Sequence, residues 1–265
     1  MPKVKNVIAA LPEPESIDIE ALRQAIAKGD VDLVCVLGPT ASGKTKYAVW
    51  LSGALGGCEI LSADSRQVYR GMDIGTGKDL GEYGGVPYHL IDIAEPGTQY
   101  NVHRFQEDFQ AAIADIRSRG AFPILCGGTG LYISAVTGGY DFQDRKPLSA
   151  PRGTCPGTIA RTYFIGTLVS REERNARIDR RLAARLQEGL VAEVQGLLDS
   201  GLTPESLLYY GLEYKFVTLY LPGALRYDEM VTQLQTAIHQ FAKRQMTWFR
   251  GMERKGINIE WITLS

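Results

Sequence analysis

The sequence predicts an α/β fold in which helices flank a parallel sheet and the C-terminal portion is helical. Apolar segments of strand length alternate with segments whose apolar residues recur at helical spacing, which is typical of strand–helix–strand units. The first strand, residues 31–37, is mostly apolar, as expected when both sheet faces are covered. It leads into a glycine-containing loop and then into a helix over 44–55, which ends before Gly56.

The other elements follow from the same two patterns. A helix over 16–29 precedes the first strand, and Gly29 is its expected C-cap. Further strands are predicted at 59–62, 88–93, 122–126, 163–168 and 258–261. Further helices are predicted over 101–119, from Ser170 (a capping-box start) to Leu197, and over 228–250. Residues 141–160 are rich in Pro, Gly, Asp and Arg without an apolar period, and they are predicted to form a linker or surface loop.

The composition excludes several classes of protein. The chain has 265 residues with 45% hydrophobic and 22% charged residues, values typical of ordered soluble proteins. Its net charge of −1 does not decide for or against nucleic acid, because a phosphate backbone needs only a local basic face. No segment approaches the roughly 20 apolar residues that span a bilayer, and the N-terminus lacks the features of a signal peptide. We therefore expect a cytoplasmic protein without a membrane segment.

Cysteine usage agrees with this expectation. The four cysteines form no C-x-x-C pair and have no histidine at metal-ligand spacing, so no zinc site is expected. Cys35 and Cys126 lie in predicted buried strands, where a free cysteine behaves as a small hydrophobic residue. The pattern favours a reducing compartment.

A phosphate-binding P-loop is the clearest functional motif. The segment between the first strand and its helix reads Gly38-Pro39-Thr40-Ala41-Ser42-Gly43-Lys44-Thr45. It matches G-x-x-x-x-G-K-[ST] in the strand-to-helix context that gives the pattern its meaning. Backbone N–H groups and the helix N-terminus are expected to bind a di- or triphosphate, with Lys44 near the terminal phosphate and the Thr45 hydroxyl on Mg²⁺. The motif indicates a phosphate ligand but not a reaction.

Two polar residues are expected beside the P-loop, because ligands gather where the carboxyl ends of parallel strands meet. Asp64 follows strand 59–62 and could ligate Mg²⁺ or accept a proton. Alternatively, it only caps the turn at Ser65 and Arg66. Thr129, in the segment Gly127-Gly128-Thr129-Gly130, is expected to point its hydroxyl into the same cleft.

Two other segments carry weaker signals. Asp92 ends an apolar run as a metal-organising acid would, but a structural turn before Pro96 explains it equally well. The segment 75–78, Gly-Thr-Gly-Lys, looks like a second phosphate loop, yet no apolar strand leads into it and a plain turn is favoured. We give this segment no catalytic role.

Basic residues are concentrated in two regions of the C-terminal half. Seven arginines lie between residues 161 and 185, and two of them, Arg177 and Arg181, are four apart on one helical face, which suits a fork that closes on a phosphate. A solvated face with local Glu–Arg pairs is the alternative. The second region runs from Lys243 and Arg244 to Lys255 with aromatic residues between, and it suits contact with a nucleic-acid backbone.

Six segments in this order carry a resemblance to a known family: 38–45, 62–76, 127–132, 170–198, 210–214 and 242–250. They resemble the tRNA dimethylallyltransferase (isopentenyltransferase) family and cover most of the chain outside 1–30 and 141–160. The resemblance implies transfer of a dimethylallyl group from dimethylallyl diphosphate to the exocyclic amine of the adenosine 3′ to the tRNA anticodon.

The resemblance also implies a role for each motif. The P-loop and Mg²⁺, with Thr45 as a ligand, would hold the diphosphate, while Arg177 and Arg181 offset the charge on the leaving group. Asp64 would take the proton of the amine, and Thr129 would orient the base. The positions expected to contact tRNA are Asp64, Ser65, Arg66, Gln67, Lys243 and Arg244.

The chain departs from the family pattern in two places. Family members usually carry a helical insert that grips the anticodon stem, and here only the loop-like 141–160 stands in its place. Leu212-Glu213-Tyr214 also stands where the family has Tyr-Arg-Glu. The expected organisation is an N-terminal extension (1–30), a P-loop transferase domain (31–140 and 161–265) and the linker 141–160. The protein is expected to act as a monomer.

Two alternatives stay open at the level of sequence. The same chemistry could modify a free adenine nucleotide (AMP, ADP or ATP) instead of tRNA. A different class would be a small-molecule kinase or a P-loop binding module without catalysis. The first alternative predicts transfer to a nucleotide, and the second predicts ATP turnover or ATP-dependent binding of a partner.

Overall fold

A six-stranded parallel sheet forms the centre of the computed structural model, which describes residues 16–138 and 158–264. Its order is β3-β2-β4-β1-β5-β6, and every neighbouring pair is parallel. The strands are β1 (Leu33–Leu37), β2 (Cys58–Ser62), β3 (Tyr88–His89), β4 (Phe122–Gly127), β5 (Thr162–Leu168) and β6 (Glu260–Thr263). The predicted parallel α/β fold is confirmed.

Helices cover both faces of this sheet. They are α1 (Ile19–Ala27), α2 (Lys44–Leu55), α3 (Val102–Ser118), α4 (Gly130–Val136), α5 (Arg171–Glu188), α6 (Leu190–Asp199), α7 (Pro204–Leu207), α8 (Leu212–Tyr220) and α9 (Tyr227–Arg254). Polar side chains begin several of them, because the first N–H groups of a helix lack intrahelical partners. Ser170 is one example: its hydroxyl accepts the N–H of Glu173 at 3.1 Å, which confirms the predicted start of α5.

The hydrophobic core has two layers, one on each side of β1. All five residues of β1 are fully buried, as the apolar run predicted. Alternation along the strand sends Val34 and Val36 toward α1 and α2, whereas Leu33, Cys35 and Leu37 join the larger cluster that includes α3 and α9. The predicted apolar face of α3 is confirmed, since Phe105, Phe109, Ile113 and Ile116 are buried there.

Several predicted boundaries are wrong, each for a local reason. The helix from Ser170 to Leu197 is two helices, because Gly189 adopts a left-handed conformation (φ +106°) that ends α5 and starts α6. The strand at 88–93 is limited to β3, since Leu90 and Asp92 have positive φ values of 64° and 56°. The last strand lies two residues later than expected, at β6.

Some predictions lie outside the described residues or were not made. Most of the linker 141–160, Cys155 and the first 15 residues belong to the part of the chain that the structure does not describe. The helices α4, α7 and α8 were not predicted. Within 16–138 and 158–264, no helix combines the length and apolar character needed to cross a bilayer.

Candidate active site

The P-loop connects β1 to α2 at the carboxyl edge of the sheet, and β5 holds it in place. A Cβ at Gly38 would overlap the Thr167 hydroxyl of β5, so only glycine fits this close approach. The buried Ser42 hydroxyl lies 2.6 Å from the same Thr167 oxygen. Gly43 has φ +82°, which turns the chain into α2. The loop is therefore preformed by its own packing.

The second half of the loop offers more to a phosphate than the first half. Pro39 has no N–H group, and the Thr40 N–H donates to Oε1 of Gln245 on α9 at 2.8 Å. The free N–H groups that begin a helix belong to the first turn of α2, from Lys44 onward. Burial lowers the pKa of Lys44, although Cys126 and Asp64 act in the opposite direction. An anionic ligand would relieve this cost of burying the ammonium group.

A cavity of about 460 Å³ opens in front of the P-loop and collects most of the predicted site residues. Its walls come from the P-loop, the loop after β2, the segment 76–79, and helices α5, α8 and α9. Among the residues that line it are Lys44, Thr45, Asp64, Arg66, Gln67, Arg177, Arg181, Arg185, Glu213, Phe241 and Gln245. Its size suits a small ligand, and six lysine and arginine side chains against five acidic ones give it a slight excess of positive charge, which suits a phosphate.

Asp64 lies at the cavity wall and also caps its own turn. Its Oδ1 accepts the Arg66 N–H at 3.0 Å, which confirms the structural explanation considered for this residue, whereas its functional role stays a prediction. Thr129 is fixed to the same turn: its hydroxyl oxygen accepts the Ser65 N–H at 3.1 Å and lies 3.3 Å from Ser65 Oγ. This hydroxyl is therefore engaged by Ser65, and Thr129 is not among the residues that line the cavity, so its predicted role in orienting a base stays a prediction.

The Gly-Gly-Thr-Gly segment allows three parts of the fold to approach one another. A Cβ at Gly127 would overlap the Ala63 carbonyl, so β4 could not end against the turn that carries Asp64. A Cβ at Gly130 would overlap the Trp248 indole of α9. The glycines therefore serve packing around the cavity more than direct contact with a ligand.

Helix α5 brings its arginines into the cavity, as the helical spacing predicted. Arg181 donates to the Gly77 carbonyl at 3.2 Å and pairs with Asp79. Arg177 pairs through Nε with Glu173 at 2.8 Å, so the alternative Glu–Arg pair is also present. One turn further, Arg185 donates from Nη1 to Oε1 of Glu213 at 3.2 Å. Burial, with the neighbouring Arg181 guanidinium, lowers the pKa of Arg185 to about 10.

The remaining residues expected to contact tRNA divide into two groups. Gln67 is fixed inside the wall, since its amide accepts from Ser62 Oγ at 3.0 Å and donates to the Gly77 carbonyl at 3.1 Å. Lys243 and Arg244 are exposed on α9, and Arg244 packs on the ring of Phe241, which lines the cavity. They form an exposed basic edge.

The second glycine loop and Asp92 have structural roles. Glu193 of α6 accepts the N–H groups of Asp73, Ile74 and Gly75 at 2.8–3.0 Å, so an internal carboxylate takes the place that a phosphate would need. The buried Lys78 ammonium pairs with Asp73 at 2.9 Å and with Asp92. The interpretation of this segment as a turn is confirmed.

Comparison with known proteins assigns the chain to a family. The sequence model of the IPP transferase family matches residues 67–154 and 143–252. The tRNA dimethylallyltransferase 2 of Bacteroides fragilis is 46% identical over 288 aligned residues, which cover 89% of this chain and 94% of the relative. This chain belongs to the IPP transferase family. A tRNA dimethylallyltransferase 1 of Porphyromonas gingivalis is 48% identical over 282 residues and covers 87% of this chain and 93% of the relative.

Solved structures of the IPP transferase family share the fold. The tRNA isopentenylpyrophosphate transferase of Bacillus halodurans aligns with a TM-score of 0.76 at 32% identity, over 88% of this chain and 89% of the other. The corresponding enzyme of Staphylococcus epidermidis gives a TM-score of 0.74 at 29% identity, over 87% of this chain and 92% of the other. The agreement extends over most of both chains.

Three cavity residues of this family member had no role in the sequence analysis. Arg185 could have been found, because it lies four residues after Arg181 and so shares its helical face. Glu213 and Gln245 had no such local signal. Their partners Arg66 and Thr40 lie 147 and 205 residues away along the chain, and only the fold brings them together.

Proposed function

We propose that this member of the IPP transferase family transfers a dimethylallyl group from dimethylallyl diphosphate to the exocyclic amine of the adenosine 3′ to the anticodon in tRNA. One observation carries the proposal: a single cavity joins the P-loop, the carboxylate of Asp64 and the arginine face of α5. The names of the relatives, tRNA dimethylallyltransferases, support the donor and the acceptor. We also propose a monomer as the active unit.

The diphosphate of the donor binds at the first turn of α2. Backbone N–H groups and the Lys44 ammonium neutralise it, and Arg177 and Arg181 approach from the opposite wall. As the allylic C–O bond breaks, its electron pair stays on the diphosphate, whose growing negative charge these cations stabilise. The chemistry requires no hydrolysis of ATP.

Mg²⁺ fits the residues of this wall. Thr45 lies at the cavity beside Cys126, and its hydroxyl is the P-loop group that suits Mg²⁺. The described residues contain no cluster of three or more His, Cys, Asp or Glu side chains. This is compatible with Mg²⁺, which is usually held by one or two protein ligands together with substrate phosphates and water. When bound, the ion would add positive charge beside the leaving group.

The acceptor adenosine leaves the anticodon stack and brings its amine to Asp64. The N–C bond forms as the C–O bond of the donor breaks, and the proton of the amine passes to the Asp64 carboxylate. The backbone bond from Arg66 to Oδ1 holds the carboxylate in place. Thr129 acts indirectly, because its bonds to Ser65 fix the turn that carries Asp64.

The surface that contacts tRNA is expected to be smaller in this chain than in the relatives. The alignment with the Bacteroides fragilis relative is 288 positions long, and that with the Porphyromonas gingivalis relative is 282 positions long. Both are longer than the 265 residues of this chain, which supports a shortened insert in this chain. The two family-model matches also overlap at residues 143–154, within the linker. We propose that the exposed basic edge at Lys243 and Arg244 carries a larger share of the phosphate contacts.

The test is a transfer assay with three acceptors in parallel. Labelled dimethylallyl diphosphate and Mg²⁺ are incubated with unmodified tRNA, with AMP or with ATP, and the label is followed into each acceptor. We expect label in tRNA alone. Transfer to a nucleotide alone would favour the adenylate alternative, and label in none of the acceptors would contradict a transferase.

A further inference from the structure

A buried carboxylate, Glu213 at the start of α8, links two arginines across the wall of the cavity. Its side chain is only 4% exposed, and its two oxygens accept from different guanidinium groups. Oε2 lies 3.1 Å from Arg66 Nη1, and Oε1 lies 3.2 Å from Arg185 Nη1. A buried carboxylate bonded on both oxygens fixes both partners, because moving either one would leave a buried charge unpaired.

The two arginines fixed by Glu213 have different surroundings. Arg185 lies beside Arg181, and a Cβ at Gly77 would overlap both guanidinium groups, so these two cations meet at the phosphate side of the cavity. Arg66 lies 3.9 Å from Asp64 through Nε. With Asp64 and Glu213 both beside it, its charge is largely balanced. A balanced, immobilised guanidinium is better suited to stacking than to phosphate binding.

Arg66 packs on an aromatic ring that also lines the cavity. Its guanidinium carbon is 5.0 Å from the centroid of the half-buried Phe241 ring, and that of Arg244 is 5.8 Å from the same centroid. Both distances are within the range of cation–π contacts. Arg66 and Phe241 thus stack on each other in the cavity wall, where they form one surface, and the Arg66 end of this surface lies within 4 Å of the carboxylate of Asp64.

We propose that Phe241 and Arg66 form the stacking platform for the nucleobase that enters this cavity, with Glu213 as the residue that positions Arg66. Unstacked RNA bases are bound by stacking on aromatic rings and on arginine planes. A base with its amine at Asp64 has its ring beside this surface. The inference rests on the proposed function, because it assigns the platform to the acceptor adenosine of that reaction.

Steady-state kinetics with an unmodified anticodon stem-loop RNA test the platform. Phe241→Leu keeps the apolar bulk but removes the ring, and it is expected to raise the KM for RNA roughly tenfold, as for the loss of one stacked base. The KM for dimethylallyl diphosphate is expected to stay unchanged. Phe241→Tyr restores the ring and should restore the KM for RNA.

A matched control is available on α8. Phe216 is also partly buried and also packs against a cation, Lys215, at 5.7 Å, but it does not line the cavity. Phe216→Leu is therefore expected to leave both KM values unchanged. Equal KM values for RNA in Phe241→Leu and Phe216→Leu would overturn the platform while leaving the proposed function intact.

A second measurement does not depend on turnover. A stem-loop carrying 2-aminopurine at the acceptor position lacks the reactive amine at C6, and its fluorescence is quenched when the base stacks. We expect the bound probe to be brighter in Phe241→Leu than in the wild type or in Phe216→Leu. Equal brightness in all three would overturn the inference. If the wild type neither bound nor modified RNA, the proposed function itself would fail, and the platform with it.

Discussion

Gln245 holds two parts of the site together, and its replacement by leucine gives a measurable prediction. From the middle of α9 its amide accepts the Thr40 N–H of the P-loop at 2.8 Å and donates to the Gly128 carbonyl at 2.9 Å. The side chain is 8% exposed. Gln245→Leu keeps the shape approximately but removes both hydrogen bonds.

The size of the effect follows from the burial of the two partners. Each lost hydrogen bond costs about 1 kcal/mol, and a buried group left without a partner costs about 1–3 kcal/mol more. The buried Gly128 carbonyl incurs this second cost, whereas water can reach the half-buried Thr40 N–H. We therefore expect the free energy of unfolding to fall by about 3 kcal/mol. Because the P-loop loses an anchor, the KM for the donor should also rise.

Urea unfolding followed by circular dichroism measures this loss as a lower midpoint with an unchanged slope. Gln233→Leu is the control, because it makes the same substitution at an exposed position of α9 and should change the stability by less than about 0.5 kcal/mol. Equal unfolding free energies for the two variants would refute the assigned role of Gln245. So would a normal KM for the donor in a destabilised Gln245→Leu enzyme, since the anchor would then not serve the P-loop.

Two further predictions concern charged groups. Burial lowers the pKa of Lys44 below 10.5, and a bound anion favours its protonated form, so affinity for inorganic diphosphate should be highest below that lowered pKa and decline as pH rises through it. Calorimetric titrations should show this decline reduced in Lys44→Met, and an identical pH dependence in both proteins would exclude Lys44 as its source. In Glu213→Gln, the single amide oxygen can accept from only one of Arg66 and Arg185, and the amide N–H₂ group faces the other arginine. We expect urea unfolding to show that this variant is less stable by about 3 kcal/mol. Wild-type stability in this variant would show that the two arginines do not depend on the carboxylate.

The sequence predicted the parts of the site that short segments encode. The strand, glycine loop and helix around Lys44 are contiguous, and the rule that strand ends meet at one edge placed Asp64 near them. The face of α5 with Arg177 and Arg181 followed from helical spacing. Each of these features needs only a few neighbouring residues and a general rule of packing.

Other features depended on contacts between distant parts of the chain. The apolar period continues through Gly189, so only its left-handed backbone reveals the break between α5 and α6. Glycine suggested a second phosphate loop at 75–78, but the carboxylate of Glu193, more than 100 residues later, accepts the N–H groups of Asp73, Ile74 and Gly75, where this segment begins. The direction of the Thr129 hydroxyl was likewise decided by the neighbouring Ser65. Such pairs leave no periodic trace in the sequence.

The most direct test of the central claim compares the wild type with Asp64→Asn in a single turnover on unmodified tRNA. Mass spectrometry of nuclease fragments locates the dimethylallyl group, and calorimetry with inorganic diphosphate checks that the P-loop still binds its ligand. We predict modification of the adenosine 3′ to the anticodon by the wild type, and almost none by Asp64→Asn despite normal diphosphate binding. Equal modification by both proteins, or a dimethylallyl group on a different nucleotide, would contradict the proposed chemistry of this cavity.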